Sequence, residues 1–202
     1  MPPTTLDLSF VQMTPHIRWV YGEYGKLASA GKIGRPHTRA VDYKRWSLVY
    51  NKLQDGASLI DVGPGAGQFV NAAARFGRFH SILALDIKPH SSLQHLSPHW
   101  TLAFYNIARQ HKHHPFTAHT VTCLQTLAYL PESQTADALQ TLTSLATNQL
   151  ILTVPIHPEA LLPKSHKQRF TVERVCNLWP QSVVTVLTTQ GLPSYAIVEI
   201  HV

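Results

Sequence analysis

The sequence predicts an α/β protein: a mostly parallel sheet with helices on both faces, followed by a C-terminal antiparallel strand pair. Three observations lead there. Short apolar runs alternate with helical periods between residues 58 and 154. A glycine-rich turn joins the first of those runs to a helix. The last two β-branched runs lie too close together for a crossover helix, so they must pair antiparallel.

The elements follow in order. Up to residue 41, Gly, Pro, Tyr and basic residues are scattered without a sustained period, which reads as an irregular arm or lid. Tyr21 and Tyr24 are then either lid residues over a ligand or core aromatics of an N-terminal helix. From Asp42 onward Tyr43, Trp46, Val49, Tyr50 and Leu53 recur at spacings of three and four. This predicts an amphipathic helix with Asp42 as its cap and Gln54-Asp55-Gly56 as its stop. Strands are expected over 58–62, 81–86, 101–106, 118–124 and 149–154, with helices over 68–76 and 133–146. Residues 171–178 look helical, and 182–188 and 196–202 form the closing pair around Gly191-Leu192-Pro193-Ser194.

At 202 residues and 44 % hydrophobic, the chain is expected to fold as a single domain over 1–202, an arm of 1–41 on a core of 42–202. Two cysteines, Cys123 and Cys176, exclude a disulfide framework and suit a reducing compartment. With no signal-peptide pattern and no run of about 18 apolar residues, the cytoplasm is the expected location and no membrane span is expected. The net charge of +6 arises from few acids, 11, as much as from many bases, 17, so it favours a nucleic-acid partner only weakly.

The sharpest signal is Asp61-Val62-Gly63-Pro64-Gly65-Ala66-Gly67, which closes a strand and opens a helix. Glycines permit positive φ and close backbone approach, and the turn and helix start present N–H groups, so a nucleotide-like ligand is implied. Asp86 ends the next strand, where a carboxylate can accept both hydroxyls of a ribose. A dinucleotide fingerprint would need a small third residue at 68, and that residue is Gln68.

The D-x-G-x-G-x-G pattern resembles motif I of the class I S-adenosylmethionine-dependent methyltransferases. Ala84-Leu85-Asp86-Ile87 is similar to that family's acidic second-strand end, and Phe104-Tyr105-Asn106-Ile107 stands where the adenine edge is read. The segment from Thr122 to Glu132 resembles the fourth-strand motif, and Leu150 to Pro155 the fifth strand. Lys164-Ser165-His166-Lys167-Gln168-Arg169-Phe170-Thr171 is similar to a loop of the ubiquinone-type, small-molecule branch. The resemblance spans 42–202. It implies a Rossmann-like seven-stranded sheet, S-adenosylmethionine as cofactor and a small-molecule methyl acceptor. It also implies cofactor binding by Asp61, Gly63, Pro64, Gly65, Gly67, Asp86, Ile87, Asn106, Ile107, Leu124 and Gln125. Departures stand at His119, Gln125 and Ala128-Tyr129, where the family has an acid, a Glu and a Glu-His pair.

Methyl transfer is an in-line displacement, so the protein must mainly hold acceptor and methyl collinear. A hydroxyl acceptor adds a need for a base, and His166 and His157 lie beyond the fifth strand, where parallel sheets place ligands. No metal is required. His111-Lys112-His113-His114 reads as a solvated loop, since neighbouring histidines flank a lysine with no carboxylate or cysteine close by. Arg35 to Arg39 with Lys44, Arg45, Tyr43 and Trp46 reads as a solvated helix face with its aromatics in the core. Two alternatives remain open: an RNA or protein methyltransferase using the basic arm, and a cofactor-binding fold whose acceptor site has decayed.

Overall fold

The computed structural model describes residues 2–34, 39–75, 77–109, 115–157 and 163–202. Most of the basic segment (35–38), Phe76 and the histidine cluster at 111–114 lie outside the described residues. In order the elements are β1 (Thr4–Asp7), α1 (Pro15–Ser29), α2 (Ala40–Lys52), β2 (Ser58–Val62), α3 (Gln68–Ala74), β3 (Ser81–Asp86) and β4 (Thr101–Phe104). There follow β5 (Ala118–Leu124), α4 (Thr135–Leu145), β6 (Ala146–Pro155), α5 (Val172–Leu178), β7 (Val183–Thr189) and β8 (Leu192–His201).

Among the described residues, eight strands form one sheet in the order β1-β7-β8-β6-β5-β2-β3-β4. β8 runs antiparallel to both β6 and β7, and the remaining pairs are parallel. The expectation of seven strands is therefore corrected to eight. β1, drawn from the supposed arm, adds to the sheet edge by pairing Thr4 with Thr185 through Asp7 with Thr188.

The arm is also more regular than its sequence suggests. Thr14 caps α1 by accepting from the Ile17 amide, Pro15 occupies the first turn, and Ile17, Val20 and Tyr24 are buried at spacings of three and four. Gly22 and Gly25 interrupt that period, and helix interiors disfavour glycine by about 1 kcal/mol each. Packing on α3 overrides the propensity. Tyr24 is thus a core aromatic, and its buried hydroxyl donates to the Ala66 carbonyl.

α2 differs from expectation in its cap. Arg39 is the N-cap residue and makes no side-chain capping bond, while Asp42 lies inside the first turn. The Asp42 carboxylate instead accepts from the Tyr195 hydroxyl at 3.3 Å and pairs with Arg45 at 3.3 Å. Arg45 is fully buried, its guanidinium 4.4 Å from the Tyr195 ring centroid, so it is no part of a solvated basic face.

One apolar layer, from α1, α2 and α3, covers one sheet face, and a second, including α4 and α5, covers the other. β2 sits between β3 and β5, at the point where chain progression across the sheet reverses. Ligands of open parallel sheets bind at the carboxyl edge of such a switch point.

Candidate active site

β2 is flanked by β3 and β5 and is buried from Leu59 to Val62, which is why its sequence is continuously apolar but for Asp61. The chain then leaves the sheet through Gly63, Gly65 and Gly67, with φ of 71°, 56° and 87°. At Gly63 a Cβ would come within 2.0 Å of Thr126 Oγ1, so glycine lets the turn after β5 close against this one. At Gly65 a Cβ would meet nothing within 4 Å, and the residue lines a cavity.

That cavity holds about 550 Å³ and lies over the carboxyl ends of the central strands. Gly63, Pro64 and Gly65 line it together with Asp86 and Ile87 at the end of β3, Asn106 and Ile107 after β4, and Leu124 and Gln125 at the end of β5. Nine of the sequence-predicted positions therefore share one wall. Asp86 is held by the Ile87 amide, which donates to its Oδ1 at 2.7 Å, and partial burial raises its carboxyl above the ordinary value. Asn106 Oδ1 accepts from the Ala108 amide at 2.9 Å, which fixes the turn after β4. Gln125 takes up a left-handed φ of 69°, strained for a side chain, and its amide donates to the Thr153 carbonyl.

Two predicted residues stand behind the wall. Asp61 is buried and accepts from Thr122 Oγ1 at 2.7 Å, and burial pushes its carboxyl up to about 7. It is not among the residues that line the cavity. Gly67 is the N-cap of α3, where a Cβ would approach the Gln94 carbonyl at 2.8 Å, so it serves packing rather than the floor.

The lining is completed by residues the resemblance assigned no cofactor role. Asp42, Tyr43 and Trp46 reach it from α2, and Tyr129 and Leu130 from the turn after β5. The helical period of α2 picked out Tyr43 and Trp46, but not that they line the cavity. His166 and His157 are brought together, with His157 Nε2 and His166 Nδ1 2.9 Å apart, one ring donating and the other accepting. Neither lines the cavity. His166 meets the edge of it through Tyr129, whose ring lies 5.1 Å away and nearly perpendicular. Burial lowers both imidazoles below their ordinary value, so both are neutral at pH 7. His90 is the imidazole on the wall among the described residues, beside Asp86. Of the departures noted in sequence, Gln125 and Tyr129 are on the wall, whereas Ala128 is buried and His119 lies at the opposite end of β5, its amide bonded to Ser58.

No family model matches the sequence, and no curated protein matches it. Solved structures do. The Burkholderia thailandensis 1,6-didemethyltoxoflavin-N1-methyltransferase, with S-adenosylhomocysteine bound, superposes with a TM-score of 0.63 at 12 % identity, over 94 % of this chain and 91 % of that one. The fold is that of the class I methyltransferases. The magnesium protoporphyrin IX methyltransferase from Synechocystis PCC 6803 shares this methyltransferase fold over 94 % of this chain and 88 % of its own, with a TM-score of 0.57 and 16 % identity. A small RNA methyltransferase also matches, with a TM-score of 0.61 and 16 % identity over 78 % of this chain, which spans only 25 % of that enzyme's length.

Proposed function

We propose that this chain transfers a methyl group from S-adenosylmethionine to a small-molecule acceptor. One observation carries the reading: a single cavity is lined by the glycine turn, Asp86 and Asn106 and also by α2 and Tyr129. Two ligands can therefore meet in one cavity, as an in-line transfer between them requires. When bound, the cofactor supplies an electrophilic methyl group on a sulfonium. The open space over Gly65, the Asp86 carboxylate at the end of β3 and the apolar side chains of Ile87 and Ile107 fit an amino-acid tail, a ribose diol and a flat base in turn. Asn106 would read the base edge, and Leu124 and Gln125 would border the sulfonium.

The acceptor proton is assigned to the His166 and His157 pair, which is neutral at pH 7 and joined to the cavity by Tyr129. A polyanionic acceptor is disfavoured because two cations of the basic segment are committed elsewhere. Arg45 is buried, and Lys44 donates to the Leu8 and Ser9 carbonyls. The cytoplasm is the proposed compartment, since both cysteines are free and Cys123 is buried. No helix among the described residues is long and apolar enough to cross a membrane.

Methyl-labelled S-adenosylmethionine offered with a metabolite extract and, separately, with total RNA tests the reading. Label is expected in small molecules. Label in RNA would replace the acceptor class, and cofactor binding without transfer to either would mark a site that has lost its acceptor.

A further inference from the structure

The loop after β3 brings a side chain to the cavity that the sequence motifs left unassigned. Residues 87–90 leave the carboxyl end of β3, and His90 lines the cavity with Asp86 and Ile87. That loop is fastened to the glycine turn. The Gln94 amide donates to the Ala66 carbonyl at 3.0 Å, and Asn71 Nδ2 donates to the Gln94 carbonyl at 2.7 Å. Gly67 leaves room for that carbonyl, since a Cβ there would lie 2.8 Å from it. Closer to the histidine, the Leu93 amide donates to the His90 carbonyl at 2.9 Å, so the chain turns tightly over 90–93.

The ring of His90 is oriented as well. The Ser92 amide donates to its Nδ1 at 3.1 Å. A ring nitrogen that accepts carries no proton, so the neutral imidazole keeps its N–H at Nε2. The ring stands near Asp86: burial raises the Asp86 carboxyl, the Ile87 and Lys88 amides lower it, and the charge of His90 lowers it further. An N–H donor and a carboxylate acceptor thus share one part of the wall.

These two groups complement each other toward a diol. Each hydroxyl of a ribose both donates and accepts, and a carboxylate takes up only the donated protons. The hydroxyl oxygens still need a donor once they leave water. The Ile87 and Lys88 amides are engaged by Asp86 itself, and among the described residues no lysine or arginine lines the cavity. From this we infer that His90 is a specificity-determining residue of the cofactor site, its Nε2–H donating to one hydroxyl oxygen of the ribose whose protons Asp86 accepts. The inference rests on the methyltransferase reading and adds a second reader of the ribose to it.

Calorimetric titration of the full chain with S-adenosylhomocysteine and with its 2′-deoxy and 3′-deoxy forms tests it, in wild type, His90→Phe and His90→Gln. His90 is exposed, so neither substitution disturbs the core. His90→Phe keeps a ring without a donor and should weaken S-adenosylhomocysteine by about two- to tenfold, the scale of one hydrogen bond. His90→Gln restores an N–H at similar reach and should recover most of that loss. One of the two deoxy forms lacks the oxygen that His90 reads, and that compound should bind wild type and His90→Phe alike. A loss in His90→Phe that is the same for all three compounds, or no loss at all, would overturn the role of His90 while the methyltransferase reading stands. Failure of wild type to bind S-adenosylhomocysteine would instead remove that reading, and the role with it.

Discussion

At the turn end of the cavity, Gly65, Asp86 and Asn106 come from the ends of three neighbouring strands, β2, β3 and β4, each a short step in sequence from the next. The rest of the lining is gathered from α2 and the turn after β5, and its longest tie joins Asp42 to Tyr195 across 153 residues. The first end is built by local turn geometry and strand register, and the second by long-range packing of a helix across the sheet. Local construction leaves motifs. Long-range construction leaves only a helical period, which α2 shares with any amphipathic helix.

If the two ends have separate roles, changes at one should spare the other. The largest expected effect is at the far end. His166→Ala should lower kcat by about 10²-fold, the lower part of the range for proton transfer, because the pair acts beside the cavity and not on its wall. Since burial holds the imidazoles below their ordinary value, the wild-type rate should fall only at pH below the ordinary imidazole range, where the pair becomes protonated. His166→Ala should flatten that acid limb and leave S-adenosylhomocysteine affinity within twofold. A rate unchanged across pH 6–9 would leave catalysis to positioning alone.

A smaller effect separates wall from scaffold at the turn end. Asp61 is fully buried with its carboxyl raised to about 7, so the folded state resists ionisation that the unfolded chain undergoes near its ordinary value of 3.8. Its contribution to stability is complete at pH below that value and is lost as pH rises toward 7, by a few kcal/mol at about 1.4 kcal/mol per pH unit. Asp61→Asn keeps an acceptor for Thr122 Oγ1 and should flatten the decline between pH 4 and 7 in urea unfolding. Cofactor affinity should barely change. A large loss of affinity with an unaltered stability profile would put Asp61 on the wall.

The same contrast explains what the sequence made legible. The bounds of β2, β3 and β5 match the expected 58–62, 81–86 and 118–124 to the residue, because largely buried central strands are rich in apolar residues. β1 and α1 were missed. β1 is a four-residue edge strand, exposed at Thr4, Thr5 and Leu6, and has no alternation to read, and α1 carries two glycines inside its period. For α1 the Thr14-Pro15 start was the available signal. The glycines were legible as a group, but their separate roles were not. Gly65 faces open cavity space, Gly63 lines the cavity and also makes room for Thr126, and Gly67 makes room for Gln94. Which neighbour fills the space beside a glycine depends on segments about 30 to 60 residues away, and a local motif does not carry that information.

The most direct test of the central claim is calorimetric titration of the chain with S-adenosylhomocysteine and with NAD, repeated on Asp86→Ala. The account predicts micromolar binding of S-adenosylhomocysteine, about −8 kcal/mol, and no binding of NAD. It also predicts a ten- to hundredfold loss in Asp86→Ala, the equivalent of charge-assisted hydrogen bonds worth about 1.5–3 kcal/mol. NAD binding in the absence of S-adenosylhomocysteine binding, or an Asp86→Ala affinity within twofold of wild type, would contradict it.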